Sequence, residues 1–162
     1  MIKQTVVTLS FMAMITGCGI EYRDDPRCAK SNYMTYEELR ASVSVEESRE
    51  IKDAGKIYVY GDTLLVNEKE KGVHIIDNSD KKNPINRAFV NVLGSSDIAV
   101  KDGYMMVDSF MDLVVIDIHD MNNIKEVNRT INIFSKGDQP YYWNNICGFD
   151  LDKGVILGVD ND

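Results

Sequence analysis

The stretch "DLVVIDI" (residues 112–118) is a short, near-continuous apolar run. Its apolar residues do not alternate with polar ones, as they would in a strand that has one face in water. The stretch therefore predicts a strand that is buried between neighbouring sheets. The residues on either side decide which kind of sheet contains it.

The run belongs to a longer segment that occurs twice. The segment "DIAVKDGYMMVDSFMDLVVIDIHDMNNIKEVNRTINIFS" (97–135) aligns with "KIYVYGDTLLVNEKEKGVHIIDNSDKKNPINRAFVNVLG" (56–94) at a period of 40–41 residues. The alignment places Ile57 with Ile98 and, after a one-residue slip in a turn, Asp77 with Asp117. Repeats of about 40–45 residues that contain several short strands are typical of propeller blades.

Each repeat has the internal order of a blade. In "DIAVKDGYMMVDS", Asp102 and Gly103 form a tight-turn signal between two strands, which predicts a hairpin. The stretches "DMNNI" and "DKKNP" predict turns in which aspartate and asparagine side chains bond nearby amides. "VNRTINIF" (127–134) then predicts the outer strand, and a third unit begins near residue 146 with a turn at 152–154.

These repeats resemble a known family. "DLVVIDI" and "KGVHIIDNSDKKNP" (71–84) are similar to the LVIVD repeat of bacterial β-propeller proteins, which are usually secreted lipoproteins, and the resemblance extends over residues 33–134. It implies an all-β fold, here a partial β-propeller of two clear blades (about 55–94 and 95–135) and the start of a third. It also implies a binding or scaffolding role at the cell envelope, with no family-wide active site.

The number of repeats sets an expectation about the chain. A closed propeller has at least four blades, and a blade buries its faces only against neighbours. Two blades alone would leave apolar faces and sheet edges open. We therefore expect residues 55–162 to be an incomplete propeller and the chain to be a truncated form; the alternative is that another subunit supplies the missing blades.

The N-terminus predicts export. Residues 1–17 contain Lys3 followed by an apolar run of about 10 residues, which suits a secretory signal better than a spanning helix of about 20 residues. "ITGC" (15–18) resembles a bacterial lipobox, which implies cleavage before Cys18 and lipid on its sulfur. The alternative is a buried N-terminal helix. Because Gly19 is not aspartate, the resemblance favours an anchor at the outer membrane or cell surface.

Residues 18–33 predict a lipid-anchored, flexible tether because charged residues are mixed with Gly, Pro, Ser and Asn. Cys28 lies in this tether and is a candidate for a disulfide with Cys147 after export. The alternative is that Cys147 is a small buried hydrophobe. Residues 34–54 predict a short helix and a lead-in to the repeats, since "TYEE" at the start is a capping-box pattern.

Composition excludes some partners and sites. The chain has 162 residues and a formal net charge of -8, which argues against nucleic acid, because nucleic-acid binding needs a basic face. Three cysteines and two histidines fit no zinc motif. No cofactor and no catalytic motif are expected.

Acidic residues and histidines are the candidates for chemistry within the repeats. Carboxylates near strand ends can converge on a propeller channel and bind Ca²⁺, and the calcium candidates are Asp108 and Asp112, with Asp97, Asp117 and Asp120 beside them. The alternative is that these residues cap turns or face solvent, and no metal site is the expectation. Strand alternation predicts that His74 and His119 lie at the surface or between blades.

An aromatic cluster interrupts the repeat pattern. Tyr141, Tyr142 and Trp143 lie between the second and third units, and aromatic side chains stack on sugar rings or anchor a protein partner. The alternative is packing between blades. The sequence thus favours a membrane-anchored, non-enzymatic module with a protein or carbohydrate ligand. The second reading is an envelope enzyme whose active site lies in absent blades.

Overall fold

The computed structural model describes residues 30–135 and 150–160. These residues form one short helix and eleven strands in three antiparallel sheets that do not close into a ring. The elements are α1 Tyr36–Ala41, β1 Lys30–Met34, β2 Ser44–Glu47, β3 Ala54–Tyr60, β4 Thr63–Glu68, β5 Gly72–Asp77, β6 Ile85–Asn91, β7 Ile98–Lys101, β8 Tyr104–Ser109, β9 Asp112–Asp117, β10 Lys125–Thr130 and β11 Val155–Asp160.

The two repeats form two equivalent sheets. Blade 1 has the strand order β2-β6-β5-β4-β3, and blade 2 has the order β10-β9-β8-β7. Thr63 pairs with Asp77 in blade 1, and Tyr104 pairs with Asp117 in the same place in blade 2. The all-β, propeller-like fold predicted from the repeat is therefore confirmed for the described residues.

The main core lies between the two blades. Alternate residues of the central strands of both sheets face each other there, and they are fully or almost fully buried: Leu65, Val73, Ile75, Val90, Met105, Val107, Val114 and Ile116. The predicted buried strand "DLVVIDI" is β9, and its residues Val114 and Ile116 point into this core. Burial of one such side chain stabilises the fold by about 1.5–3 kcal/mol.

The turns that the sequence predicts are present in the structure. Asp102 and Gly103 have φ values of 49° and 76°, as a tight hairpin turn requires. Asp80 and Asp120 accept bonds from the amides of Lys82 and Asn122, at 3.0 and 2.9 Å. These are the predicted side-chain-to-amide turns.

The helix α1 begins with the predicted capping box. The Glu38 amide donates to the Thr35 hydroxyl, while the Glu38 carboxylate accepts from the Thr35 amide. Leu39 is the buried residue of α1, and it packs with Met111 and Val155 in a second, smaller core. Within the described ranges, no helix has the length and apolar character needed to cross a bilayer.

The predicted tether (18–33) is too long at its C-terminal end. Strand β1 begins at Lys30 and pairs antiparallel with β11, so Met34 lies opposite Val155. The polar composition of residues 30–33 suits a linker, but their backbone is paired with β11, a strand more than a hundred residues away in the chain. A composition argument cannot detect such a distant partner.

The predicted outer strand of blade 2 (127–134) is also wrong at both ends. Strand β10 begins two residues earlier and stops at Thr130, because Asn132 takes a positive φ of 54°. The Asn132 amide then donates to the carboxylate of Asp112 at 2.9 Å. The chain leaves the sheet at this point to cap a buried charge.

Candidate functional site

Several predicted site residues lie outside the described residues. They are the lipidation candidate Cys18, the disulfide candidates Cys28 and Cys147, and the aromatic cluster Tyr141, Tyr142 and Trp143.

Asp112 forms the centre of a buried charge cluster. Its side chain is fully buried at the start of β9, and it accepts bonds from Arg40 at 2.9 Å and from Arg129 at 3.4 Å. Burial on its own raises the pKa of Asp112, but the bonds from Arg40, the Asn132 amide and Arg129 hold the pKa below its ordinary value. Two guanidinium groups already neutralise this carboxylate, so the cluster links α1 to blade 2 and suits no added cation.

Asp108 and its neighbours are turn caps. Asp108 accepts bonds from the amides of Ser96 and Asp97 at 2.8 and 2.7 Å. Asp97 pairs with Lys56, which lowers the pKa of Asp97 and links the inner strands of the two blades. In the part of the chain that the structure describes, no three His, Cys, Asp or Glu side chains are grouped to hold a metal. The geometry therefore favours the capping interpretation for Asp108, whereas Asp112 is the acceptor of a buried ion pair, which neither interpretation included.

The two histidines have different environments. His119 is 56% exposed in its side chain, and its Nδ1 lies 2.7 Å from Asp117. The surface prediction is thus confirmed for His119. His74 is fully buried, and it lies on the face of β5 that points away from blade 2, so the prediction for His74 is wrong.

His74 is part of a buried polar network on the outer face of blade 1. Its Nε2 lies 2.8 Å from Glu68, and its ring meets the Phe89 ring edge-on at 4.8 Å. Arg49, from the loop before β3, stacks over Phe89 at 3.5 Å and lies 3.3 Å from Glu68. Burial raises the pKa of Glu68, but the bond from His74 and the charge of Arg49 hold it below its ordinary value.

The repeat alignment contains a signal for this network. His74 and Val114 are both the third residue of their strand, and Glu68 and Ser109 are both the last residue of theirs. An ionisable pair therefore replaces a valine and a serine in one blade alone. When a strand position is apolar in one repeat and ionisable in the other, a polar group is expected to cover the ionisable residue. The covering residue, Arg49, lies outside the repeats and carries no local signal.

A groove between the two blades is the best candidate for ligand contact among the described residues. Its volume is about 200 Å³. It opens between β2 and the start of β10, and its lining is apolar at the base and polar at the rim: Val43, Ser44, Val45, Val90, Ile116, Ile124, Lys125 and Glu126. Such a groove accepts an apolar side chain or a small amphipathic group.

Comparison with known proteins identifies the repeats. The family model of the LVIVD repeat matches residues 51–91 and 94–130, which are the segments that form β3–β6 and β7–β10. No curated protein and no solved structure matches the chain. The chain therefore contains two adjacent LVIVD repeats, and each of them forms one blade.

Proposed function

We propose that this protein is a lipid-anchored module of the bacterial envelope that binds or scaffolds a partner and performs no catalysis itself. The LVIVD repeats supply a β-structured module, and the lipobox resemblance at 15–18 supplies the anchor at Cys18. A thiol-linked diacylglycerol with further acylation gives nearly permanent attachment, at about 0.8 kcal/mol per buried CH₂ group.

The groove between the blades carries the binding half of this proposal. The rim residues Ser44 and Lys125 are exposed, while Val90 and Ile116 at its base are completely buried. Polar groups at a rim orient a ligand, and an apolar base supplies the free energy of burial. Repeat proteins commonly bind partners along surfaces that neighbouring units create together.

Metabolic labelling with palmitate tests the anchor. The wild-type chain is expected to incorporate label and to fractionate with membranes, and Cys18→Ser is expected to lose both. Cys28→Ser is the matched control, because it removes a nearby cysteine and leaves the lipobox intact. Equal labelling of the Cys18→Ser variant and the wild type would reject the anchor.

Site-specific photo-cross-linking tests the binding surface. A photoreactive residue at Ser44, on the groove rim, is expected to give a discrete adduct in intact cells. The same residue at Lys81, which is exposed on a turn of blade 1, is the control. Identical adducts at both positions, or none at Ser44, would count against the groove as the contact surface.

A further inference from the structure

The connection between β2 and β3 crosses blade 1 from one edge to the other. Strand β2 ends at Glu47 on the outer edge of the five-stranded sheet, and β3 begins at Ala54 on its inner edge. Four strand spacings are about 19 Å, and a connection of this length reaches at most about 25 Å when it is fully extended. Residues 48–53, which we name the strap, therefore have little slack.

Arg49 fastens the strap to the outer face of blade 1 in three ways. Its guanidinium lies over the Phe89 ring, 3.5 Å from the centroid, and its Nη2 lies 3.3 Å from Oε2 of Glu68. Its backbone carbonyl accepts a bond from the side-chain amide of Asn86 at 2.8 Å. Glu68 and Asn86, which provide two of these three fastenings, are also in contact with His74.

The Arg49 carbonyl fixes the hydrogen-bonding state of His74. A carbonyl oxygen only accepts, so the part of the Asn86 side chain that faces it is the NH₂ group. The same NH₂ group lies 3.3 Å from Nδ1 of His74, which must therefore present a lone pair. The proton of neutral His74 is then on Nε2, 2.8 Å from Oε2 of Glu68. The fastened strap thus requires an unprotonated Nδ1.

A second proton on His74 conflicts with the bond from Asn86 to the strap. A protonated Nδ1 is a donor, so it cannot face the NH₂ group of Asn86. The Oδ1 atom of Asn86 is buried, and no described group donates to it. Rotation of the amide brings this oxygen to Nδ1–H. The same rotation places an oxygen against the Arg49 carbonyl and removes the donor of that carbonyl.

The charges of the network lead to the same result. Nε2 of His74 and Nη2 of Arg49 contact the same oxygen, Oε2 of Glu68. When His74 is protonated it neutralises this carboxylate itself, and Arg49 becomes a second cation beside it. Repulsion between like charges is strong where burial lowers the dielectric constant. Arg49 is 38% exposed in its side chain and can move into solvent, whereas His74 is fully buried.

His74 is the group in this network that can change its charge near neutral pH. Imidazoles titrate between about pH 5 and pH 8, whereas arginine and lysine remain cations in this range. Burial raises the pKa of Glu68, but the bond from His74 and the charge of Arg49 hold it below its ordinary value. The groups around His74 are Glu68 at the end of β4, Asn86 and Phe89 on β6 and, through the Glu68 carboxylate, Arg49 and Lys71.

We propose that the strap is a pH-sensitive device, in which protonation of His74 releases Arg49 and frees the strap from the outer face of blade 1. A proton that binds the released form more tightly than the fastened form shifts the balance to release as the pH falls. The strap is thus fastened at neutral pH and free in mild acid. It continues directly from β2, whose Ser44 and Val45 line the groove between the blades, so acid loosens one wall of the groove.

Nuclear magnetic resonance of the full-length chain in detergent tests the strap at about pH 7.5 and about pH 5. The ring ¹⁵N shifts of His74 are expected to report a proton on Nε2 alone at the higher pH and on both nitrogens at the lower. Backbone order parameters of residues 48–53 are expected to fall from about 0.85, typical of rigid backbone, to below about 0.6. Those of β4 and β8 are expected to stay unchanged.

Two histidine variants separate the strap from a general effect of acid. In His74→Gln, glutamine keeps a donor for Glu68 and an acceptor for Asn86 but does not titrate, so the order of the strap is expected to be independent of pH. His119→Gln is the matched control, because His119 is the second of the two histidines and is exposed. Its strap is expected to be released in acid as in the wild type.

Asn86→Ala tests the route through the amide. This variant removes the donor to the Arg49 carbonyl, so the order parameters of residues 48–53 are expected to be lowered already at about pH 7.5. Order that matches the wild type at that pH would count against the amide as a fastening.

Any of four wild-type results would overturn the proposal. They are a His74 ring that does not titrate above about pH 5, a proton on Nδ1 at neutral pH, a strap that stays ordered when His74 is protonated, and an equal loss of order in β4 and β8. Acid release in His74→Gln would also overturn it, and the wild-type titration decides the outcome even if that variant does not fold. The device goes beyond the proposed function, because its test involves neither lipid nor partner.

Discussion

Asp112 shows how a single residue of a repeat can acquire a structural role. The equivalent first residue of β5 is Gly72, whereas Asp112 binds Arg40 of α1 and Arg129 of β10. Removal of one partner from a buried ion pair leaves uncompensated charges, at a cost of about 3–5 kcal/mol. We expect Asp112→Ala to lower the free energy of unfolding by about 3 kcal/mol in urea titrations at pH 7. Asp80→Ala, on an exposed turn, is the control.

The contribution of Asp112 depends on pH in a defined direction. Its folded-state pKa lies below the ordinary value of 3.8, so the unfolded chain takes up a proton first as the pH falls. The stabilisation is therefore complete above the unfolded-state pKa of about 4 and is lost as the pH falls through the folded-state pKa. The difference between wild type and Asp112→Ala should be constant from pH 7 to pH 5 and shrink below pH 4. A difference that grew below pH 4 would contradict this assignment.

Glu68 and His74 form a pair whose members depend on each other. We expect His74→Val alone to lower the free energy of unfolding by about 2 kcal/mol, because the buried carboxylate of Glu68 loses a donor. Adding Glu68→Ser gives blade 1 the residues that blade 2 has at these positions, and it should recover most of the loss. A complete double-mutant cycle by urea unfolding measures the coupling. Additive losses in the double variant would show that the pair is not coupled.

At the scale of strands, the start of β5 depends on glycine. Gly72 has a φ of 147°, and a Cβ atom there would lie 2.1 Å from the carbonyl oxygen of Val90 on β6. We expect Gly72→Ala to lower the melting temperature by about 10 °C or more, since a loss of 1 kcal/mol shifts it by about 2–8 °C in domains of this size range. Gly158→Ala is the matched strand control, because nothing lies within 4 Å of its added Cβ atom. Equal melting temperatures for the two variants would refute the steric argument.

Elements with local signals were predicted from the sequence, and elements that depend on distant partners were not. The capping box at Thr35, the hairpin turn at Gly103 and the apolar strand β9 each have a signature within a few residues. Strand β1 is defined by its pairing with β11, far along the chain, and the sequence alone does not reveal that pairing. The end of β10 depends on the bond between Asn132 and Asp112, a tertiary contact.

The candidate site was less predictable than the fold for the same reason. The alignment of repeats identified His74 and Asp112 as candidates, but not Arg49 or Arg40, the residues that neutralise these clusters. Both arginines lie outside the aligned segments. The groove at Ser44 forms only when β2 joins blade 1, and no residue pattern within either repeat indicates this addition.

At the scale of the whole molecule, two equivalent blades share a core but have different outer edges. The apolar residues between the sheets bind the blades together. Strand β2 covers the edge of blade 1, and none of the described strands pairs with the outer edge of blade 2. The inter-blade groove lies beside the edge strand β10, since Lys125 belongs to both. The strands β6 and β10 are thus equivalent in their sheets, but only β6 is covered by another described strand.

Native-state hydrogen exchange of the unliganded full-length chain tests this central claim most directly. Amides that point to the outer edge exchange slowly if another strand covers them and quickly if the edge is open. We predict that several amides of β6 (Ile85–Asn91) exchange about tenfold or more slowly than the amides at the equivalent positions of β10 (Lys125–Thr130). Equal protection of equivalent amides in the two strands would contradict it.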